Sequence, residues 1–83
     1  MDADSERRLG RRIRELRKKQ KMSQTELAEK ADVALMTISR IERGEHDPHL
    51  STLSRIARGL GVPALDLLRA AGYFKDNDTA MEE

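Results

Sequence analysis

The 83-residue sequence has no cysteine and no tryptophan, and only one tyrosine and one phenylalanine. Without thiols it can build neither a disulfide framework, a thiolate zinc site nor a cysteine nucleophile, and it suits a reducing, cytoplasmic setting. The scarcity of aromatic residues argues against single-stranded nucleic acid as a ligand, because its binders stack bases on aromatic rings. No apolar run approaches the roughly 18 residues of a membrane span, and the opening MDADSERR lacks the apolar segment of a secretory signal. GxSxG, P-loop and HExxH motifs are missing too, so neither an enzyme nor a cofactor is expected. His46 and His49 flank Asp47 in H-x-x-H spacing, but no third ligand follows at a defined interval; no metal is expected, and His49 suits the cap of a following helix.

Charge, by contrast, is plentiful and segregated. The net charge is +1; with Asp2, Asp4 and Glu6 at one end and Asp76, Asp78, Glu82 and Glu83 at the other, the span between them carries +8. Nine basic residues fall between Arg7 and Lys21. Such a body suits a polyanion, although a basic amphipathic helix can also simply present a solvated face.

Apolar spacing is helical throughout. Leu9, Ile13, Leu16 and Met22 mark an amphipathic helix over about residues 6–20, capped by Asp4 or Ser5, with residues 1–5 a disordered acidic start. Ser23 and Glu26 form an S-x-x-E capping box, so a second helix begins at Gln24 and runs through Leu27, Ala28 and Ala31 to a break at Asp32. Val33, Ile38 and Ile41 continue into a third helix that Gly44 stops. After GEHDPH, a fourth carries Leu50, Leu53, Ile56, Ala57 and Leu60 and closes at Gly61. Pro63 suits the first turn of a fifth, with Leu65 and Leu68 inward. The tail over 75–83 is too polar to fold alone. No strand pattern, repeat or low-complexity linker is evident.

Two short helices joined by a tight turn, with the small Ala28 facing Ile38 and Ile41, describe a helix-turn-helix over 24–43. Its turn requires positive φ at Asp32, which aspartate tolerates better than most side chains. With Ile38 and Ile41 inward, Met36, Thr37, Arg40 and Arg43 fall on the opposite face and Leu35 lies outward at the helix start. Exposed Leu35 and Met36 are odd on a polar reader unless they touch the thymine methyl, the one apolar feature of the major groove, while Arg40 takes a guanine edge. The alternatives are that they fold back onto the core or meet a partner protein.

The run from Leu9 to Val62, with SQTELAEKA, ISRIERG, a proline loop and TLSRIARGLGV in order, resembles the phage repressor and Cro-type (Cro/C1, XRE-like) helix-turn-helix family. The resemblance implies an all-α, compact five-helix, lambda-repressor-like domain over 6–74 that binds double-stranded DNA as a transcriptional regulator. By matching positions, Ala34, Leu35, Met36, Thr37 and Arg40 would face bases, and Ser23, Gln24 and Arg43 would meet phosphates. Arg17 and Glu42 match a pair that forms a partly buried salt bridge in the family. Ala34 departs from the Ser or Thr that commonly caps the reading helix, weakening that start by about 1 kcal/mol. Glu45 and Asp47 stand in the loop where basic residues would help.

One such unit reads few base pairs, so a homodimer on a two-fold symmetric operator is expected. Leu67, Tyr73 and Phe74 are candidates for its interface, unless Tyr73 and Phe74 fold back onto the core. The family also contains antitoxins, leaving open an adaptor whose main ligand is another protein, a toxin or regulator. The chain could also be the DNA-binding piece of a longer protein.

Overall fold

A computed structural model describes residues 1–73; Phe74 and the tail over 75–83 lie outside the described residues. Five helices follow in order: α1 (Ala3–Lys19), α2 (Gln24–Ala31), α3 (Leu35–Glu42), α4 (Leu50–Leu60) and α5 (Ala64–Ala70). The described residues contain no strand, so the fold is all-α. α2 packs on α3 and α4, while α1 packs on α3 and α5. Between them lies one core in which Leu9, Ile13, Leu27, Ile38, Ile41, Leu53, Ile56 and Leu67 are completely enclosed.

Local chemistry explains most of the boundaries. Ser23 Oγ accepts from the Glu26 N–H at 3.0 Å while Glu26 Oε1 accepts from the Ser23 N–H at 2.8 Å, completing the capping box of α2. The bond from the Ser23 N–H holds the Glu26 carboxyl below its ordinary pKa. Asp32 ends α2 at φ 57° and ψ 49°, and the Val33 N–H reaches back to Ala28 O at 3.0 Å, so α3 departs at once in a new direction. The last carbonyl of α4, on Leu60, accepts from Gln20 Nε2 at 2.7 Å, an anchor between the ends of α1 and α4.

Three expectations need correction. α1 starts at Ala3, so most of the acidic start is helical; Asp2, not Asp4 or Ser5, is the cap, its Oδ1 accepting from the Ser5 N–H at 2.8 Å. Asp4 and Glu6 then sit in the first turn, where the helix dipole favours negative charge. In α5, Pro63 is the residue before the helix rather than part of its first turn; Leu68 packs against the core as expected, but the fully enclosed residue is Leu67, and Leu65 is 43% exposed. Leu67, at 0% exposure, therefore cannot be a dimer contact. The cause is an ion pair across the bundle: Arg12 Nε and Nη2 donate to the two oxygens of Asp66 at 3.0 and 3.1 Å, fixing the rotation of α5 on α1. Third, His49 occupies the cap position of α4 but its side chain makes no capping bond, and Leu50 behind it is exposed.

α1 and α3 approach more closely than apolar packing alone would bring them. Gly10, inside α1, lies against the end of α3, where a Cβ would collide with the Ile41 carbonyl oxygen and meet the Glu42 carbonyl oxygen at 2.9 Å. About two turns further along, Arg17 Nε and Nη2 donate to the Glu42 carboxylate at 2.6 and 2.8 Å, and Nη1 donates to Met22 O at 2.9 Å. The two side chains are 10% and 3% exposed.

Replacing Glu42 by alanine leaves the Arg17 guanidinium enclosed without its anion, and the expected loss of stability is about 3–5 kcal/mol, read from urea unfolding. An unchanged unfolding midpoint would remove the pair from the fold's supports. The bond from Arg12 holds the Asp66 carboxyl below its ordinary pKa. A depressed folded pKa contributes stability above the unfolded value of about 3.9, and that contribution is lost as pH falls through the folded value. Thermal midpoints measured from pH 6 down to pH 2 should therefore drop more steeply below about pH 4 in the wild type than in Asp66→Asn; parallel curves would contradict this.

Candidate nucleic-acid interface

The outward face of α3 follows from its inward one. Ile38 and Ile41 are buried, so the 100° step per residue turns Met36 and Arg40 toward solvent, with Leu35 at the exposed start. Leu35 is 47% and Met36 59% exposed, so neither folds back into the core. Thr37 is half-buried at their side, its N–H donating to Ala34 O at 3.0 Å. Ala34 precedes α3 in extended conformation and offers no side-chain cap. Arg43 ends the helix, exposed, with its Nε 3.3 Å from Glu45 Oε1.

Ser23 and Gln24 lie at the start of α2. Ser23 is committed to its capping box, and Gln24 Nε2 donates to Glu42 Oε1 at 3.0 Å. The Glu42 carboxylate thus gathers donors from α1 and α2 while its own backbone belongs to α3. Sequence spacing alone could not show this second tie of Gln24. As the first residue of α2, Gln24 has a backbone N–H with no acceptor inside the helix. The chemistry of the surface is thus an apolar pair and a guanidinium on one rigid helix, flanked by a helix start with free N–H groups. Such a surface can bind an edge-on polar ligand with apolar features; it has no paired acid and base.

Of the remaining sequence-level candidates, Tyr73 is 50% exposed just beyond α5 and is not folded into the core. Asp47, in the loop before α4, lies 3.3 Å from the N-terminal ammonium. Among the described residues no helix is long and apolar enough to cross a membrane.

Residues 13–67 match the HTH_3 helix-turn-helix family. The immunity repressor protein of Bacillus phage phi105 is 43% identical over 54 residues, which is 65% of this chain and 38% of that protein, so the chain spans well under two thirds of that repressor's length. A helix-turn-helix-type transcriptional regulator of Methanothermobacter thermautotrophicus is 47% identical over 49 residues, 59% of this chain and 71% of its own. Among solved structures, the restriction-modification controller protein C.AhdI of Aeromonas hydrophila superposes with a TM-score of 0.73 at 27% identity, over 75% of this chain and 94% of that one. A chain of the SinR–SinI protein complex does so with a TM-score of 0.71 at 32% identity, over 89% of this chain and 74% of that one. A helix-turn-helix matched over most of the chain, with α3 presenting its outer face to solvent, places the chain in the Cro/C1-type (XRE-like) family of DNA-binding helix-turn-helix transcriptional regulators.

Proposed function

We propose that the protein is a sequence-specific regulator that lays α3 in the major groove of double-stranded DNA. The observation that carries this reading is the pair of exposed apolar residues, Leu35 and Met36, at the start of a helix whose other end is held by the Arg17–Glu42 ion pair. On such a rigid element a methyl contact can be reproducible: Leu35 and Met36 read thymine C5-methyl groups, and Arg40 one turn on takes guanine O6 and N7. Ala34 and Thr37 flank them at the groove's edge. The start of α2 holds a phosphate on one side, through the N–H groups of Gln24 and its neighbours, and Arg43 meets another on the far side.

A single α3 contacts too few base pairs to find one site among many, which favours a homodimer on a two-fold symmetric operator with half-sites about one helical turn apart. Its surface is the outer side of α5, where Leu65 and Tyr73 stand exposed. A second reading has the same apolar pair meeting a protein; the likeness to a chain solved as a SinR–SinI protein complex favours keeping it.

In vitro selection from a random duplex library at near-physiological salt separates the two. Enrichment of a two-fold symmetric site is expected. On that site, Arg40→Ala should cost about 1–3 kcal/mol and relax preference at one guanine, and uracil in place of contacted thymine should weaken binding by about 0.8 kcal/mol, roughly fourfold, per methyl. Failure to enrich any site would move the assignment to the protein-binding reading.

A further inference from the structure

α1 runs past the end of α3, and the two helices border an open groove of about 230 Å³ lined by Arg7, Arg11, Arg14, Glu42 and Arg43. Arg7, Arg11 and Arg14 are spaced four and three residues apart, so they form one exposed stripe along α1. The stripe abuts the end of α3 directly: a Cβ on Gly44, the residue after Arg43, would lie 2.8 Å from Arg7 Cγ.

The groove is strongly positive for a structural reason. Its one lining acid, Glu42, is already bound by Arg17 and by Gln24, and so does little to offset the groove's own arginines. Arg7 has only a loose, exposed partner in Asp4 at 3.9 Å, and Arg43 an exposed one in Glu45 at 3.3 Å. Among the described residues Arg11 and Arg14 make no ion pair. Like charges stacked at this spacing destabilise a helix by about 0.2–0.5 kcal/mol per pair, so a merely solvated face would be better served by mixed charge. Uncompensated guanidiniums beside the reading helix have the chemistry of a phosphate clasp.

We infer that Arg7, Arg11 and Arg14 of α1, continued by Arg43, bind the phosphate backbone of duplex DNA alongside the segment whose bases α3 reads. This rests on the DNA reading above and adds to it a second backbone contact, made by the first helix rather than by the helix-turn-helix. Seven residues of helix rise about 10 Å, and each strand carries one phosphate per about 3.4 Å of duplex axis, so the stripe can face two or three successive phosphates. The contact supplies affinity and orientation but no base preference.

The test is the salt dependence of duplex binding, measured with wild type, Arg11→Gln/Arg14→Gln and Arg11→Lys/Arg14→Lys between 50 and 200 mM salt. Both positions are exposed and free of ion pairs among the described residues, and matching thermal midpoints will verify folding. Each phosphate contact adds about 0.9 to the slope of log affinity against log salt. Over a fourfold change in salt, the glutamine variant should thus lose about 12-fold less affinity than wild type, equally on the selected site and a scrambled duplex, and the lysine variant should restore the wild-type slope. An unchanged slope in the glutamine variant overturns the clasp while leaving base reading by α3 intact. Loss of site preference with an unchanged slope overturns it as well. A wild type that binds no duplex overturns both readings together. Titration with inorganic phosphate completes the test: saturation of the Arg11 and Arg14 side-chain resonances below millimolar, with the DNA slope unaffected, would assign the groove to a small free anion and overturn the backbone contact.

Discussion

The Glu42 carboxylate is the point on which the architecture turns. It belongs to α3, yet its oxygens accept from Arg17 on α1 and Gln24 on α2, so three helices meet at one nearly enclosed anion. Burying an ion pair is costly in itself, and replacing such pairs with apolar residues often leaves stability unchanged or improved. What the pair supplies is direction. Two carboxylate oxygens and a planar guanidinium admit a narrow range of mutual orientations, whereas a contact between leucines admits many. α3 is therefore set in angle by a polar contact and in depth by the apolar residues Ile38 and Ile41.

The same division appears near the middle of α1. Apolar burial places α5 on the bundle, but Arg12 and Asp66 decide which of its leucines points inward. Polar ties from the middle and the last turn of α1 make it the reference element for both α3 and α5. Of its other arginines, Arg11 and Arg14 stand clear of both ties and make no ion pair among the described residues.

How much of this could be read from the sequence depends on how local each signal is. The capping box of α2, the left-handed turn at Asp32 and the stop at Gly61 involve residues within a turn of one another, and their residue types carry the geometry. The exposure of Leu35 and Met36 was legible because Ile38 and Ile41 set the phase of α3. In α5, Leu65, Leu67 and Leu68 crowd adjacent faces of a short helix, so periodicity cannot choose among them. The choice is made by an arginine 54 positions away. Gln24 shows the same limit at the candidate site: its residue type suits a phosphate, but its amide is also a brace for Glu42. Gly10 gave no signal, because a glycine within a helix acquires meaning only from what lies across from it.

What lies across from Gly10 is backbone. Main-chain atoms cannot change rotamer, so at Gly10 the α1–α3 contact has no soft layer through which one helix could slip against the other. An α3 mounted in this way resembles a fixed die rather than a hand that closes. On the proposed DNA reading, adjustment to an imperfect site then falls to the DNA, by bending or changing groove width. On that same proposed reading, discrimination extends to how readily a sequence deforms, including base pairs that no side chain touches.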